Sequence, residues 1–464
     1  MTINNFPGLY IKTFGCQMNE YDSERIFALL HQKYRAVTEL EEARIVLINT
    51  CSVRGKAEKK LYDILGWLEK HKSKYGYTIG VCGCVAQQEG ETLLKRWRGV
   101  DFVVGTHNIS LIPSMIENSL QGLPRACAVD YRDEWETLPD ASYREPVSNF
   151  VSVDNSASFG AYYSAMRAFV AIQRGCNKNC AFCVVPLTRG PEISRTLSEV
   201  LKEIKYKVAQ GAKEVFLLGQ TVNSYGRDLS ERSNFEALVK EVAAIDGVKR
   251  IRFASPHPQD VTAGFIKLYQ EVASLCPHIH LPLQSGSDKI LAAMNRNYRL
   301  KRYLGIVQQL KTACPEIAIS SDFIVGFPTE TDEDFRQTLA AMREVEYSFS
   351  YSFKYSARPN TQAIITHKED NLIAEDVMDV RLKEVQDLQT ELCLKFNSSF
   401  IGRRLPVIIE GGMRKRSDSY RGRIPHNVLV EIALQPGAEM LKSGDELDVQ
   451  IIQASPYGIK GNIV

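Results

Sequence analysis

Six strand-like runs, each with a helix-like pattern after it, follow one another through the middle of the chain. They are Ala168–Gln173, Glu214–Leu218, Arg250–Ala254, His278–Leu281, Ala318–Val325 and Ser348–Tyr355. The helical patterns include Leu197–Ala209, Asn234–Ala244, Gly264–Ala273, Leu300–Thr312 and Asp332–Val345. Consecutive parallel strands need a crossover, and a helix supplies it, so this alternation restricts the segment to a parallel sheet covered by helices. Its length implies a barrel, and six units are too few to close one fully. The expected form is a partial (β/α)6 barrel, open on one side.

Residues 8–123 carry a shorter version of the same rhythm. Leu9–Thr13, Arg44–Asn49, Thr78–Val81 and Asp101–Val104 read as strands, and Asp22–His31, Lys56–Leu68, Gln87–Trp97 and Leu111–Leu120 as helices. The apolar run Arg44–Asn49 is of the kind buried on both faces. An open parallel α/β domain is expected. Over 124–161 the pattern breaks, with Pro124, Pro139 and Pro146 among scattered acids and aromatics such as Tyr131, Trp135 and Tyr143. That stretch reads as a linker, partly ordered against a neighbouring domain. The barrel segment, taken as 162–394, ends in a long amphipathic helix over Ala374–Phe396. Residues 397–464 change character. The short strands Leu405–Glu410, Val428–Ile432, Glu446–Ile452 and Gly458–Val464 are punctuated by glycines, which suggests a small antiparallel β-barrel.

At 464 residues the chain exceeds a single core, and 44% hydrophobic with 24% charged residues is a soluble globular composition. No apolar run is long enough for a transmembrane helix, and Met1–Pro7 lacks a signal pattern, so a cytoplasmic protein without a membrane partner is expected. A net charge of +2 means that any nucleic-acid surface must be local. Eleven cysteines in a reducing compartment favour metal or redox use over a disulfide framework.

Three of these cysteines stand in Gly175-Cys176-Asn177-Lys178-Asn179-Cys180-Ala181-Phe182-Cys183, just after the first barrel strand. Soft thiolates gathered this closely suit iron–sulfur ligation. A cubane has four irons and this run offers three sulfurs, so one iron is left for an exogenous ligand. Three more thiols, Cys16, Cys51 and Cys84, follow three successive strands of the first domain. The carboxyl ends of parallel strands share one edge, so these thiols either converge there or are three unrelated buried cysteines. Cys82, Cys127, Cys276, Cys314 and Cys393 read as packing residues. His257, His278 and His280 lack the helical pairing of a zinc site. Lys178, Arg189 and Arg195 flank the cysteine run as solvated charges, as groups tuning a cluster, or as contacts to a phosphate. In the tail, Arg414, Lys415, Arg416, Arg421 and Arg423, with Tyr420 and His426, form one dense basic stretch. It reads equally as a solvated loop or as an RNA-backbone surface.

The Cys176/Cys180/Cys183 spacing resembles the radical S-adenosylmethionine (SAM) superfamily. Gly-Cys-Gln-Met-Asn-Glu-Tyr-Asp-Ser-Glu at 15–24, Asn-Thr-Cys-Ser-Val-Arg at 49–54 and Gly-Cys-Val-Ala-Gln at 83–87 resemble the N-terminal domain of the radical SAM methylthiotransferases. The tail resembles a TRAM domain, an RNA-binding appendage of that family. The resemblance implies two [4Fe–4S] clusters, one held by Cys176, Cys180 and Cys183 and an auxiliary one by Cys16, Cys51 and Cys84. Cys82 is the rival to Cys84. It also implies SAM contacts by Phe182, Gly219, Gln220, Ser255 and Gly326, and less directly by Asn223. Two SAM molecules are expected per turnover, one methylating a sulfur species and one generating a 5′-deoxyadenosyl radical. The motifs at 16–19 and 49–54 look most like the MiaB branch, which adds a methylthio group to carbon 2 of isopentenylated adenosine at tRNA position 37. Branches acting on threonylcarbamoyl-adenosine in tRNA, or (RimO) on an aspartate of a ribosomal protein, are the alternatives. Expected partners are a tRNA anticodon stem-loop, SAM, a sulfur donor and a reduced electron donor such as flavodoxin or ferredoxin, with the enzyme a monomer.

Overall fold

The computed structural model describes residues 6–52, 55–132, 135, 151–153, 166–230, 233–367, 372–413, 416–433 and 440–464. The chain gathers into two compact units. The first is Met1–Tyr163 with Phe169–Asn177 and Val184–Arg195; the second is Ser164–Ala168, Lys178–Cys183 and Thr196–Val464.

The first unit is built on strands β1 (Gly8–Thr13), β2 (Arg35–Ala36), β3 (Ala43–Thr50), β4 (Thr78–Gly83), β5 (Phe102–Val104), β6 (Ala126–Ala128) and β7 (Val151–Val153). The strand order is β2-β1-β3-β4-β5-β6, β7 pairs with β1, and every ladder is parallel. Helices α1 (Gln17–Leu30), α2 (Gly55–Tyr75), α3 (Cys84–Glu89), α4 (Glu91–Arg96) and α5 (Ile112–Leu120) connect them. Alternate residues of β3 enter two cores: Ile45 and Leu47 join Ile26, Leu30, Ile112 and Ile116, while Val46 and Ile48 join Leu61, Leu65, Leu68 and Leu93. Burial on both faces is why this strand reads as a continuous apolar run. Two strands, β6 and β7, come from the stretch expected to be a linker. Three-residue runs such as Ala-Cys-Ala and Val-Ser-Val are too short to show a period, and only the sheet edge makes them strands. Most of 124–161, including Pro139, Tyr143 and Pro146, lies outside the described residues.

The series continues with β8 (Arg167–Ala171), the short pair β9 (Gln173–Arg174) and β10 (Ile193–Ser194), and helix α6 (Val185–Arg189). In the second unit follow β11 (Glu214–Leu218), β12 (Arg250–Phe253), β13 (His278–His280), β14 (Ala318–Val325) and β15 (Phe349–Lys354). β11 pairs with β12 and β14 with both β13 and β15, all in parallel, and an isolated bridge pairs Ile251 of β12 with Leu275, ahead of β13. The crossover helices are α7 (Leu197–Ala209), α8 (Phe235–Ala243), α9 (Ala263–Glu271), α10 (Asp288–Ala293), α11 (Leu300–Ala313) and α12 (Asp332–Val345), with α13 (Gln362–Thr366) and α14 (Glu375–Ser398) after the last strand. Several start on side-chain caps: Thr196 and Thr331 form capping boxes, and Asn234, Thr262 and Ser287 accept from the first-turn backbone. This is the expected partial barrel.

The tail is a closed five-stranded barrel of β16 (Arg404–Met413), β17 (Arg416–Arg423), β18 (Leu429–Ala433), β19 (Glu446–Ser455) and β20 (Gly458–Ile463), ordered β16-β17-β18-β20-β19. It is not wholly antiparallel, because β18 and β20 run parallel through Val430 and Ile459. β17 corrects the reading of the basic stretch. Tyr420 packs in the barrel core, His426 is buried against Phe400, and Arg423 is buried with its Nε donating to Glu410 at 2.8 Å. Arg414 and Lys415 lie outside the described residues.

Buried charges seat this barrel on the parallel strands. Glu214 accepts from Arg167 Nε at 2.5 Å and Arg252 Nε at 2.9 Å, and Arg167 reaches Glu410 at 3.1 Å. Arg250 donates to the Arg423 and Pro406 carbonyls, and Arg252 to those of Pro425 and Ile424. Such groups add little net stability over apolar packing, but they penalise any other seating by leaving a buried charge unpaired. Among the described residues no helix is long and apolar enough to cross a membrane.

Candidate active site

Register brings the first three thiols to one sheet edge. Thr13 pairs with Asn49, Asn49 with Cys82, and Thr50 with Gly83, so β1, β3 and β4 end level. Cys16, Cys51 and Cys84 lie just beyond these ends. Two glycines allow the close approach. Gly15 has φ +134°, and a Cβ there would stand 2.4 Å from Cys51 Cβ. Gly83 has φ +92°, and its Cβ would meet Asn49 Oδ1 and the Thr50 carbonyl at 2.4 Å. Buried amides lock the edge. Asn49 Nδ2 donates to the Asn19 carbonyl and to Ser23 Oγ, and Asn19 Nδ2 donates to Asn49 Oδ1 and the Thr50 carbonyl.

The thiols feel one another. Cys16 is lowered to about 5, chiefly by a hydrogen bond from Cys51, against the effect of burial and with help from the Arg189 charge and the backbone N–H groups of Asn19 and Met18. Burial raises Cys84, and Arg189 partly offsets it. Arg189 is itself buried and donates from Nη2 to Asp22 Oδ2 at 2.8 Å. This excludes the solvated reading of Arg189 and leaves it as a cation beside the thiols. The hydroxyls of Thr50 and Ser52, on either side of Cys51, are buried without a hydrogen-bond partner. Soft thiols at adjacent strand ends, a nearby cation and two unused donors suit a cluster with sulfide acceptors. Cys82 is also buried, but its thiol is directed to the Ile48 carbonyl at 3.6 Å.

The second set lies on the loop after β9. Gly175 has φ +71°, and a Cβ there would overlap the Pro191 carbonyl oxygen at 1.8 Å, so only glycine fits. The Cys176 N–H donates to the Gly190 carbonyl at 3.0 Å. The Cys183 N–H donates to the Cys180 carbonyl at 3.0 Å, and the Ala181 N–H to the Met294 carbonyl at 2.9 Å. Phe182 packs against a cluster of Ala181, Ile290, Met294, Phe327 and Ala363. None of the three thiols forms a disulfide, and all are partly accessible. Arg296 donates to Cys180 Sγ at 3.7 Å. A Cys-x3-Cys-x2-Cys set outside any disulfide, with a donor to one sulfur, again fits an iron–sulfur cluster. Among the described residues no three His, Cys, Asp or Glu side chains converge as on a single metal ion.

The other expected contacts sit at strand ends but differ in availability. Gly219 and Gln220 follow β11 directly. Asn223 is committed elsewhere: its Nδ2 donates to the His257 carbonyl and its Oδ1 accepts the His257 N–H, tying the loop after β11 to that after β12. Ser255 takes φ +55°, a strained turn after β12. Gly326 has φ +72°, and its Cβ direction is filled by Met378 Cγ at 2.2 Å; its N–H donates to Glu330 at 2.7 Å. Glycine is therefore required there by a helix of this chain. Lys178 pairs with Asp260 at 2.7 Å. Arg195 donates to the Ala171 carbonyl and packs over Trp135.

Three residues escaped sequence reasoning. Asp22 read only as the start of a helix, Arg296 lies 116 positions from Cys180, and Asn49 read as the end of an apolar strand. A polar Asn closing that run, beside Thr-Cys, was the one available signal.

Residues 8–105 match the family described as Uncharacterized protein family UPF0004, and residues 170–342 match the Radical SAM superfamily. The chain is 43% identical over 456 residues to a tRNA-2-methylthio-N(6)-dimethylallyladenosine synthase from Geobacter metallireducens, covering 98% of each chain. It is 40% identical to the protein so named from Streptomyces viridosporus, covering 96% of this chain and 85% of the relative. Among solved structures, the radical S-adenosylmethionine methyltransferase TsrM from Kitasatospora setae, with cobalamin and a [4Fe-4S] cluster bound, aligns with TM-score 0.55 at 13% identity, covering 77% of this chain and 74% of that one. At that identity the likeness bears on the fold alone.

Proposed function

The chain belongs to the tRNA-2-methylthio-N(6)-dimethylallyladenosine synthase family of radical SAM enzymes, and we propose that it replaces the hydrogen on carbon 2 of isopentenylated adenosine 37 in tRNA with a methylthio group. The observation that supports this reading is the level ending of β1, β3 and β4, with Cys16, Cys51 and Cys84 just beyond those ends, in a chain that also holds the Cys176/Cys180/Cys183 loop. The C–H bond on carbon 2 is beyond side-chain acid–base chemistry. A [4Fe–4S] cluster with SAM supplies a carbon radical able to break it, and an auxiliary cluster supplies a site for the sulfur.

The chain's own residues then have separate tasks. Cys176, Cys180 and Cys183 would hold the radical-generating cluster, with Phe182 packed on the apolar side chains behind that loop. Gly219, Gln220 and Ser255 offer backbone and hydroxyl contacts to SAM at the strand ends. Asn223 and Gly326 keep the neighbouring loops in place. Cys16, Cys51 and Cys84 hold the auxiliary cluster, with Arg189 as a nearby cation. The C-terminal barrel supports RNA binding through its basic residues other than Arg423, and an adenosine splayed from the anticodon loop suits the open mouth of a partial barrel. A reduced one-electron donor and a sulfur source complete the stoichiometry.

The test is anaerobic reconstitution of the full chain with iron and sulfide, followed by incubation with SAM, dithionite as reductant and an isopentenylated anticodon stem-loop, assayed for methylthio nucleoside by mass spectrometry. Product is expected with the isopentenylated RNA and not with the unmodified one. Modification of threonylcarbamoyl-adenosine or of a ribosomal-protein aspartate in its place would overturn the reading.

A further inference from the structure

After α10 the chain turns through Met294, Asn295 and Arg296, with Asn295 in the left-handed region at φ +56°. Three successive residues of this turn meet three successive residues of the cysteine loop. The Met294 carbonyl accepts the Ala181 N–H at 2.9 Å, Asn295 Nδ2 donates to the Asn179 carbonyl at 2.6 Å, and Arg296 Nη1 donates to Cys180 Sγ at 3.7 Å. The guanidinium is held on its other sides. Nη2 donates to the Pro282 carbonyl at 2.6 Å and Nε to the Tyr298 hydroxyl at 2.8 Å. Arg296 is 7% exposed, and among the described residues no carboxylate pairs with it. A buried cation without an anion is costly, and the one group within its reach able to carry negative charge as a ligand is the Cys180 sulfur.

We propose that Arg296 is a positioning and tuning residue of the radical-generating centre: it is the counter-ion of the Cys180 thiolate, and its N–H···S hydrogen bond raises the reduction potential of the iron–sulfur cluster bound there. This rests on the reading that Cys176, Cys180 and Cys183 hold that cluster. Hydrogen bonds to cluster sulfurs and nearby positive charge both stabilise the reduced, more negative state. The rigid hold by Pro282 and Tyr298 fixes the direction of the donor, which a flexible surface lysine cannot do.

The experiment uses the full chain with Cys16, Cys51 and Cys84 replaced by Ala, so that one centre gives the signal. This parent, Arg296→Met and Arg296→Lys are reconstituted anaerobically with iron and sulfide, and iron content and far-UV circular dichroism are recorded. The reduced cluster is followed by electron paramagnetic resonance at poised potentials. Removing one charge-assisted hydrogen bond is expected to lower the reduced-to-oxidised ratio at the parental midpoint about tenfold in Arg296→Met, with a smaller fall in Arg296→Lys. An unchanged midpoint in a variant with full iron content overturns the proposal. If Arg296→Met does not fold, the Lys variant decides by the same criterion. Failure of the parent itself to bind a four-iron cluster would instead overturn the ligand assignment beneath it.

Discussion

Arg189, thirteen positions after Cys176 in the chain, is buried against Asp22 of the first helix with Nη2 2.8 Å from Oδ2. The neighbouring Gly190 carbonyl accepts the Cys176 N–H. One short segment thus braces the start of the radical-SAM cysteine loop and supplies the cation beside Cys16 and Cys84. Replacing Arg189 by Met leaves Asp22 buried without its partner, at a cost of about 3–5 kcal/mol. In a Cys176/Cys180/Cys183→Ala background, iron retained by the remaining thiols is expected to fall along with the melting temperature. Arg189→Lys should restore part of both. Full iron content in Arg189→Met would show that the charge is dispensable.

Gly15→Ala tests the approach of the strand ends. The new methyl group would meet Cys51 at 2.4 Å in a backbone conformation that L-residues avoid. A loss of about 1–3 kcal/mol is expected from the strain, together with loss of auxiliary iron. The control Gly122→Ala has the same kind of strain, with φ +75°, but open space around it. It should lose stability without losing iron.

Cys82 and Cys84 separate cleanly. The Cys82 thiol is buried in an apolar setting and faces a backbone carbonyl, and burial raises it far above the ordinary thiol range. Cys82→Ala should retain a full complement of iron and lose on the order of 1 kcal/mol through packing. Cys84→Ala should lose the auxiliary cluster. Iron analysis of the two variants reverses the assignment if the pattern is inverted.

Acid stability should depend on Glu410. Burial opposes its charge, but Arg423 and Arg167 outweigh that and lower it from 4.5 to about 2. The folded carboxylate thus holds its proton less tightly than the unfolded one. Its contribution is fully present above pH 4.5 and is lost as pH falls toward 2. Urea unfolding followed by fluorescence should show stability declining through that window. Glu410→Gln should be less stable at neutral pH and flatter across the window, and an unchanged slope would count against the pairing.

The proposed function gives the two cysteine sets different duties. Cys176→Ala is expected to abolish reductive cleavage of SAM to 5′-deoxyadenosine. Cys51→Ala should leave that cleavage in place while methylthio product disappears. Chromatography of 5′-deoxyadenosine and of the RNA nucleosides reads both outcomes. Normal product from Cys51→Ala would remove the auxiliary site from the mechanism.

Much of this was legible in the chain because it is local. Helical spacing and apolar runs reflect what each segment buries, so the two parallel α/β regions and the Gly-punctuated barrel could be read in order. The Cys-x3-Cys-x2-Cys run brings its own ligands close together. Even the placing of Cys16, Cys51 and Cys84 along one sheet edge follows from parallel strand ends, once the strands are known to be adjacent. The basic tail shows the opposite case. Arg423, Tyr420 and His426 resembled an exposed patch, yet all three are buried, because composition does not reveal that Glu410 and Phe400 are waiting as partners.

What the sequence determined by itself is therefore the inventory for chemistry: two sets of candidate soft ligands, one local and one at strand ends, on helix-covered parallel sheets. What only the tertiary structure decided is the environment of those ligands. Arg296 reaches Cys180 across 116 positions, Arg189 meets Asp22 across 167, and Met378 occupies the space that makes residue 326 a glycine. Such contacts form between side chains whose separation along the chain carries no periodic signal, and burial changes what a charge or a glycine is for.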